Sequence, residues 1–100
     1  MTAQPKLFFR GAFPTTLSTL YNVPASTEIV VTSIVMANGS GVTAEVTLSL
    51  GGVEIIKDGK ISPGDAIHFD IRQVMNAADT IDALADRTGV TLHVSGVEVA

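Results

Sequence analysis

The chain has 100 residues, with six basic and ten acidic side chains, a net charge of −4, and neither Cys nor Trp. That length suits one domain with a modest core and is too short for a cofactor domain beside a substrate domain. Six dispersed cations exclude the clustered Lys and Arg that nucleic-acid backbones require, and the missing Cys excludes disulfides, thiolate zinc sites and a cysteine nucleophile.

With 12 Val, 11 Thr and 8 Ile, β-branched side chains dominate and favour pleated strands over helices. No apolar run approaches the ~20 residues that span a bilayer. The longest, residues 29–37, is interrupted by Thr32 and Ser33. Met1 to Lys6 has neither a basic nor an apolar signal-peptide region. The expectation is a soluble chain with no membrane partner.

Residues 1–16 read as an N-terminal arm, since Pro5 and Pro14 lack amide donors and Gly11 loosens the backbone between them. Leu7, Phe8, Phe9 and Phe13 are strongly apolar for such a segment. Two readings stand: these side chains cover the open end of the domain's own core, or they pack on a neighbouring subunit or capsid. The second is the expectation adopted for them. Residues 17–100 form the domain proper.

From Leu17 the chain reads as consecutive short strands. The first, Leu17 to Val23, is closed by Pro24. The second, Glu28 to Ala37, is apolar on both faces, with Ile29, Val31, Val35 and Ala37 on one side. Val30, Ile34 and Met36 lie on the other and are the expected oligomer interface, because a half-exposed strand would alternate with polar residues. Asn38-Gly39-Ser40-Gly41 is a turn. Thr43 to Leu50 alternates cleanly, with Ala44, Val46, Leu48 and Leu50 inward and Thr43, Glu45, Thr47 and Ser49 outward. Gly51-Gly52 turns the chain into Val53–Ile56. Asp58-Gly59 and Ser62-Pro63-Gly64-Asp65 are further turns flanking Ile61. Ala66 to Arg72 alternates again, with Ile67, Phe69 and Ile71 inward.

Residues 72–88 carry two readings. Val74, Ala78, Ile81 and Ala85 fall at helical spacing, with Asp70 and Gly89 as caps. Asn76-Ala77-Ala78-Asp79 equally suits a tight turn between two strands. The last strand, Val90 to Val99, slips its apolar phase near Gly96, as a β-bulge would. Short strands at this spacing predict an all-β fold, a single antiparallel sandwich or jelly roll.

No motif carries a reaction, and no cofactor or metal is expected. His68 and His93 sit at outward strand positions and read as surface residues. No Gly-x-Ser-x-Gly elbow occurs among the seven serines. Asp79, Asp82 and Asp86 look like a solvated face and lack the deep pocket an acid–base pair needs. The glycine pairs are not followed by the Lys-Ser/Thr of a phosphate loop.

Leu20-Tyr21-Asn22-Val23-Pro24-Ala25 resembles the opening of a group of small bacteriophage virion proteins. Val46 to Gly52, Ile61 to Asp65, Met75 to Ile81 and His93 to Val99 match its later segments in order. The resemblance spans about residues 17–99. It implies a virion β-sandwich serving as a head decoration (cement) protein or appendage, a homo-oligomer, specifically a trimer, on the major capsid protein or other virion proteins. It also favours strand-turn-strand over residues 72–85, although Ala78 stands where the group has a turn glycine. An alternative role is a receptor- or carbohydrate-binding module of a tail or fibre.

Overall fold

The computed structural model describes residues 3–99. The described residues form eight strands: β1 (Ala3–Ala12), β2 (Ser18–Asn22), β3 (Glu28–Asn38), β4 (Ala44–Leu50), β5 (Val53–Ile61), β6 (Ala66–Met75), β7 (Thr80–Ala85) and β8 (Val90–Val99). They form two four-stranded antiparallel sheets, ordered β1-β8-β3-β6 and β2-β7-β4-β5. Strand β1 pairs with β8, β2 with β7, β3 with β6 and β4 with β5. This is one long hairpin rolled into a sandwich, the jelly-roll topology. Ile29, Val31, Ile34, Met36, Leu92 and Val94 of the first sheet meet Val46, Leu48, Ile81 and Ala83 of the second, all essentially inaccessible to water.

The segment expected as an arm is part of this sandwich. Residues 3–12 are strand β1, hydrogen-bonded along β8, while Met1 and Thr2 lie outside the described residues. Phe8 and Phe13 are buried in the chain's own core, and Phe9 packs against it half-buried. The physical reason is that β8 would otherwise be an uncovered edge beside an apolar interior. The large rings of the N-terminal segment fill that side.

The two faces of β3 also sort differently from a strict alternation. Between Val31, paired with Gly96, and Ser33, paired with Ser95, β3 carries Thr32 as an extra residue. A bulge of this kind flips the side-chain phase. Ile29 and Val31 before it, and Ile34 and Met36 after it, therefore all point into the core. Of the three residues expected at an oligomer interface, Ile34 and Met36 are core residues, and only Val30 faces outward.

The bulge expected in β8 is displaced onto its neighbours. β8 keeps its alternation through Val90, Leu92, Val94 and Gly96, while β1 takes up an extra residue at Phe8 and β3 one at Thr32. Gly96 is what permits this. A Cβ there would overlap the Val30 carbonyl oxygen and lie 3.0 Å from Cε2 of Phe8.

Residues 72–85 are strand-turn-strand. Ile81 and Ala85 are four apart, a spacing that shares a face in a strand as well as in a helix, and both are buried on β7. Val74 is exposed on β6. Ala78 takes the turn with φ 72°, the left-handed region where a side chain is strained. Asp58-Gly59 is a kink within β5, with Asp58 at φ 51°, in place of the expected turn. The kink brings the Asp58 amide onto the Thr47 hydroxyl at 3.2 Å, so Thr47 is buried despite its outward position.

Asn38 is buried beyond its role as a turn residue. Its Nδ2 donates to the Val42 and Ile61 carbonyls at 2.7 and 2.8 Å. Its Oδ1 accepts the Ser40 amide and hydroxyl at 2.9 and 2.7 Å. One side chain thus ties the β3–β4 turn to the end of β5.

Gly96→Ala is expected to lower stability by roughly 1–3 kcal/mol through overpacking, read as a shift of the urea midpoint. Ala78→Gly should act in the opposite direction. Relief of the left-handed strain, roughly 1–2 kcal/mol, exceeds the extra unfolded-state freedom of glycine, roughly 0.4–1 kcal/mol, and thermal denaturation checks the sign.

Candidate interaction surface

The carboxylates that sequence reading set aside as solvated are engaged in holding strands. The Thr19 hydroxyl donates to Asp82 Oδ1 at 2.6 Å and the Thr80 hydroxyl to its Oδ2 at 3.0 Å. Asp79 Oδ2 accepts the Asn76 amide at 2.9 Å and closes the β6–β7 turn. Asp86 Oδ1 accepts the Glu45 amide at 3.0 Å. That bond, assisted by Arg87, holds the Asp86 carboxyl below its ordinary value against a smaller opposing effect of burial. None of these carboxylates is paired with another across a cleft.

The histidines are brought to one face but kept apart. Val35 lies opposite His68 on one side and His93 on the other, and His93 lies opposite Arg10. Two strand spacings, roughly 9–10 Å, separate the imidazoles' backbones, with Val35 between them, and two imidazoles alone fall short of the three protein ligands that a catalytic zinc site takes. Among the described residues no group of three or more His, Cys, Asp or Glu is placed to hold a metal.

What remains is surface. On the outer face of the first sheet, register puts Pro5, Val97, Val30 and Val74 in one cross-strand row. Val74 is 63% exposed. Leu7 lies one row away, opposite Ser95, and is also exposed. Among the described residues no strand packs over this row, so the doubly apolar character of β3 resolves into a core face and an outer face. Of the four N-terminal residues assigned to a contact, Leu7 is the one that stands out on this surface. A signal in the sequence for this row was available in the valines at 30, 74 and 97, but only the register joins them.

The two sides of the sandwich differ. At the β1/β2 side the Phe8 and Tyr21 rings pack at 5.1 Å between centroids. Lys6 Nζ sits 6.0 Å above the Tyr21 ring and donates to Glu98 Oε2 at 2.8 Å. The Glu98 bond raises the Lys6 pKa, with desolvation opposing it. At the β5/β6 side the core lies open in a cavity of about 130 Å³ lined by Ile34, Ile55, Ile56, Phe69 and Ile71.

Because the folded-state pKa of Asp86 is lowered, its stabilisation is present above the unfolded value of 3.8 and is lost as pH falls through the folded value. In Asp86→Asn, the loss of stability relative to the parent should be largest near neutral pH and shrink below pH 3.8, as read by urea titrations at successive pH values.

No family model matches the chain, and no curated protein sequence matches it. Among solved structures, two of a pentameric capsid protein isolated from metagenomic phage sequences are similar to it. They align at TM-scores of 0.46 and 0.42 with 17% and 19% identity, covering 87% and 89% of this chain. An exo-beta-1,3-galactanase from Phanerochaete chrysosporium aligns at a TM-score of 0.40 with 13% identity over 95% of this chain and 29% of its own. The chain spans 59% and 57% of the two capsid-protein chains, and at these scores the jelly-roll assignment rests on the strand order of the chain itself.

Proposed function

We propose that the chain is a non-enzymatic structural protein of a bacteriophage virion. In this reading it decorates the head shell as a homo-oligomer, a trimer, and reinforces the shell by burying apolar area against it. The observation that carries the proposal is the apolar row Pro5, Val97, Val30 and Val74 on the outer face, exposed at its ends and half-buried in its middle, taken with the resemblance of residues 17–99 to small virion proteins. Each Å² of that row removed from water is worth roughly 25 cal/mol, multiplied over many copies. Asp79, Asp82 and Asp86 are engaged in turns and strands, and among the described residues no group of three or more His, Cys, Asp or Glu is gathered, which is in keeping with a structural role.

A carbohydrate-binding role is less well supported. Sugar recognition favours aromatic rings standing clear of the surface, and all five rings of this chain are buried or half-buried.

Val74→Asp and Leu7→Asp test the proposal at exposed positions of the outer face without touching the core. Each should fold with the parent's melting behaviour yet bind expanded phage heads at least about tenfold more weakly, because a charge is brought into an apolar contact. Undiminished occupancy in a sedimentation assay would sink it.

A further inference from the structure

Sheet edges leave backbone hydrogen-bonding groups unpaired, and proteins blunt them with prolines, lysines, kinks or short length. Here β1 carries Pro5, Lys6 and the Phe8 bulge. β2 is five residues long. β5 bears Lys57 and Lys60 and is kinked at Asp58. β6 has ten residues and no Pro, Gly or Lys, and its one irregularity is a bulge at Ile71–Arg72.

Two concavities converge on β6. Its ladder shifts where Ile71 and Arg72 face the single residue Thr32 of β3, and such a bulge leaves a residue out of the ladder. A broad depression of about 560 Å³ opens there, lined by Thr32, Asp70, Ile71 and Arg72. The apolar cavity of about 130 Å³ lies on the inner side of the strand and shares Ile71 with it. Asp70 and Arg72 flank this half-buried isoleucine and are both exposed.

We propose that a second copy of this chain docks on β6, antiparallel, about a two-fold axis at Ile71. In that register Asp70 lies opposite the partner's Arg72 and Arg72 opposite the partner's Asp70, so one sequence supplies both ion pairs. Centring the axis on Asp70 or on Arg72 would oppose like charges, and of the centres on β6 only Ile71 sets Asp70 opposite Arg72. The same contact covers the half-buried Phe69 and Ile71 of both copies. An isologous contact makes each interaction twice. It does not depend on the shell-binding face, and a three-fold assembly cannot contain it, so it would join one oligomer to the next.

A chain without cysteine allows a direct test. Directly opposed residues of antiparallel strands have Cα atoms about 4.5–5.5 Å apart, within disulfide range. Under mild oxidation Ile71→Cys should become a disulfide-linked dimer, whereas Gln73→Cys, which faces the partner's Phe69, should remain largely unlinked. Independently, Asp70→Arg should weaken self-association of the uncross-linked protein by about tenfold, and mixing it with Arg72→Asp should restore pairing between the two variants. Equal cross-linking at positions 71 and 73, or a wild-type protein that does not self-associate through β6, overturns the proposal. Shell binding is measured separately, so either result leaves the virion reading to its own test.

Discussion

The architecture depends on the close approach of two backbones at Gly96. Because this residue has no side chain, the Val30 carbonyl and the Phe8 ring both settle against β8. β8 stays regular, and the strands on either side take up the extra residues, Phe8 in β1 and Thr32 in β3. Those two insertions decide which side chains are interior. Phe8 is turned into the core, and Ile34 and Met36 join Ile29 and Val31 there. Val30 is left outside, in the row that makes the outer face of the sheet.

Much of the fold is legible in the sequence for reasons that are local. Period-two alternation in residues 43–50 and 66–72 marks half-buried strands, and β4 and β6 fall there. The apolar positions Ala44, Val46, Leu48 and Leu50 are all buried. What was not legible is phase across bulges. An extra residue in a strand is defined only against its neighbour, so nothing within residues 28–37 announces that Ile34 and Met36 share a face with Ile29. The N-terminal segment was misread for a related cause. Its prolines and glycine resemble those of a loose arm, and only the partner strand, more than eighty residues away, gives it a place in a sheet.

The outer face shows the same limit. Val30, Val74 and Val97 are unremarkable one by one, and antiparallel register makes them a row. The acidic residues make the opposite point. Asp79, Asp82 and Asp86 are spaced like a solvated helix face, yet each accepts a hydrogen bond that fixes a turn or a strand. An apolar row on the outer face thus coexists with carboxylates engaged in the protein's own frame. Arg10, His68 and His93 stand exposed on the outer face of the first sheet.

The pairing of β1 with β8 also governs the order in which the fold can form. Loop closure over nearly the whole chain must precede this contact, and folding rates fall as contacting residues lie farther apart in sequence. On a ribosome, residues 3–12 emerge before residues 90–99 and have no partner strand until these follow. Through that interval Phe8, Phe9 and Phe13 are unsheltered apolar surface, so the most aromatic segment of the chain is also the one that waits longest for its place.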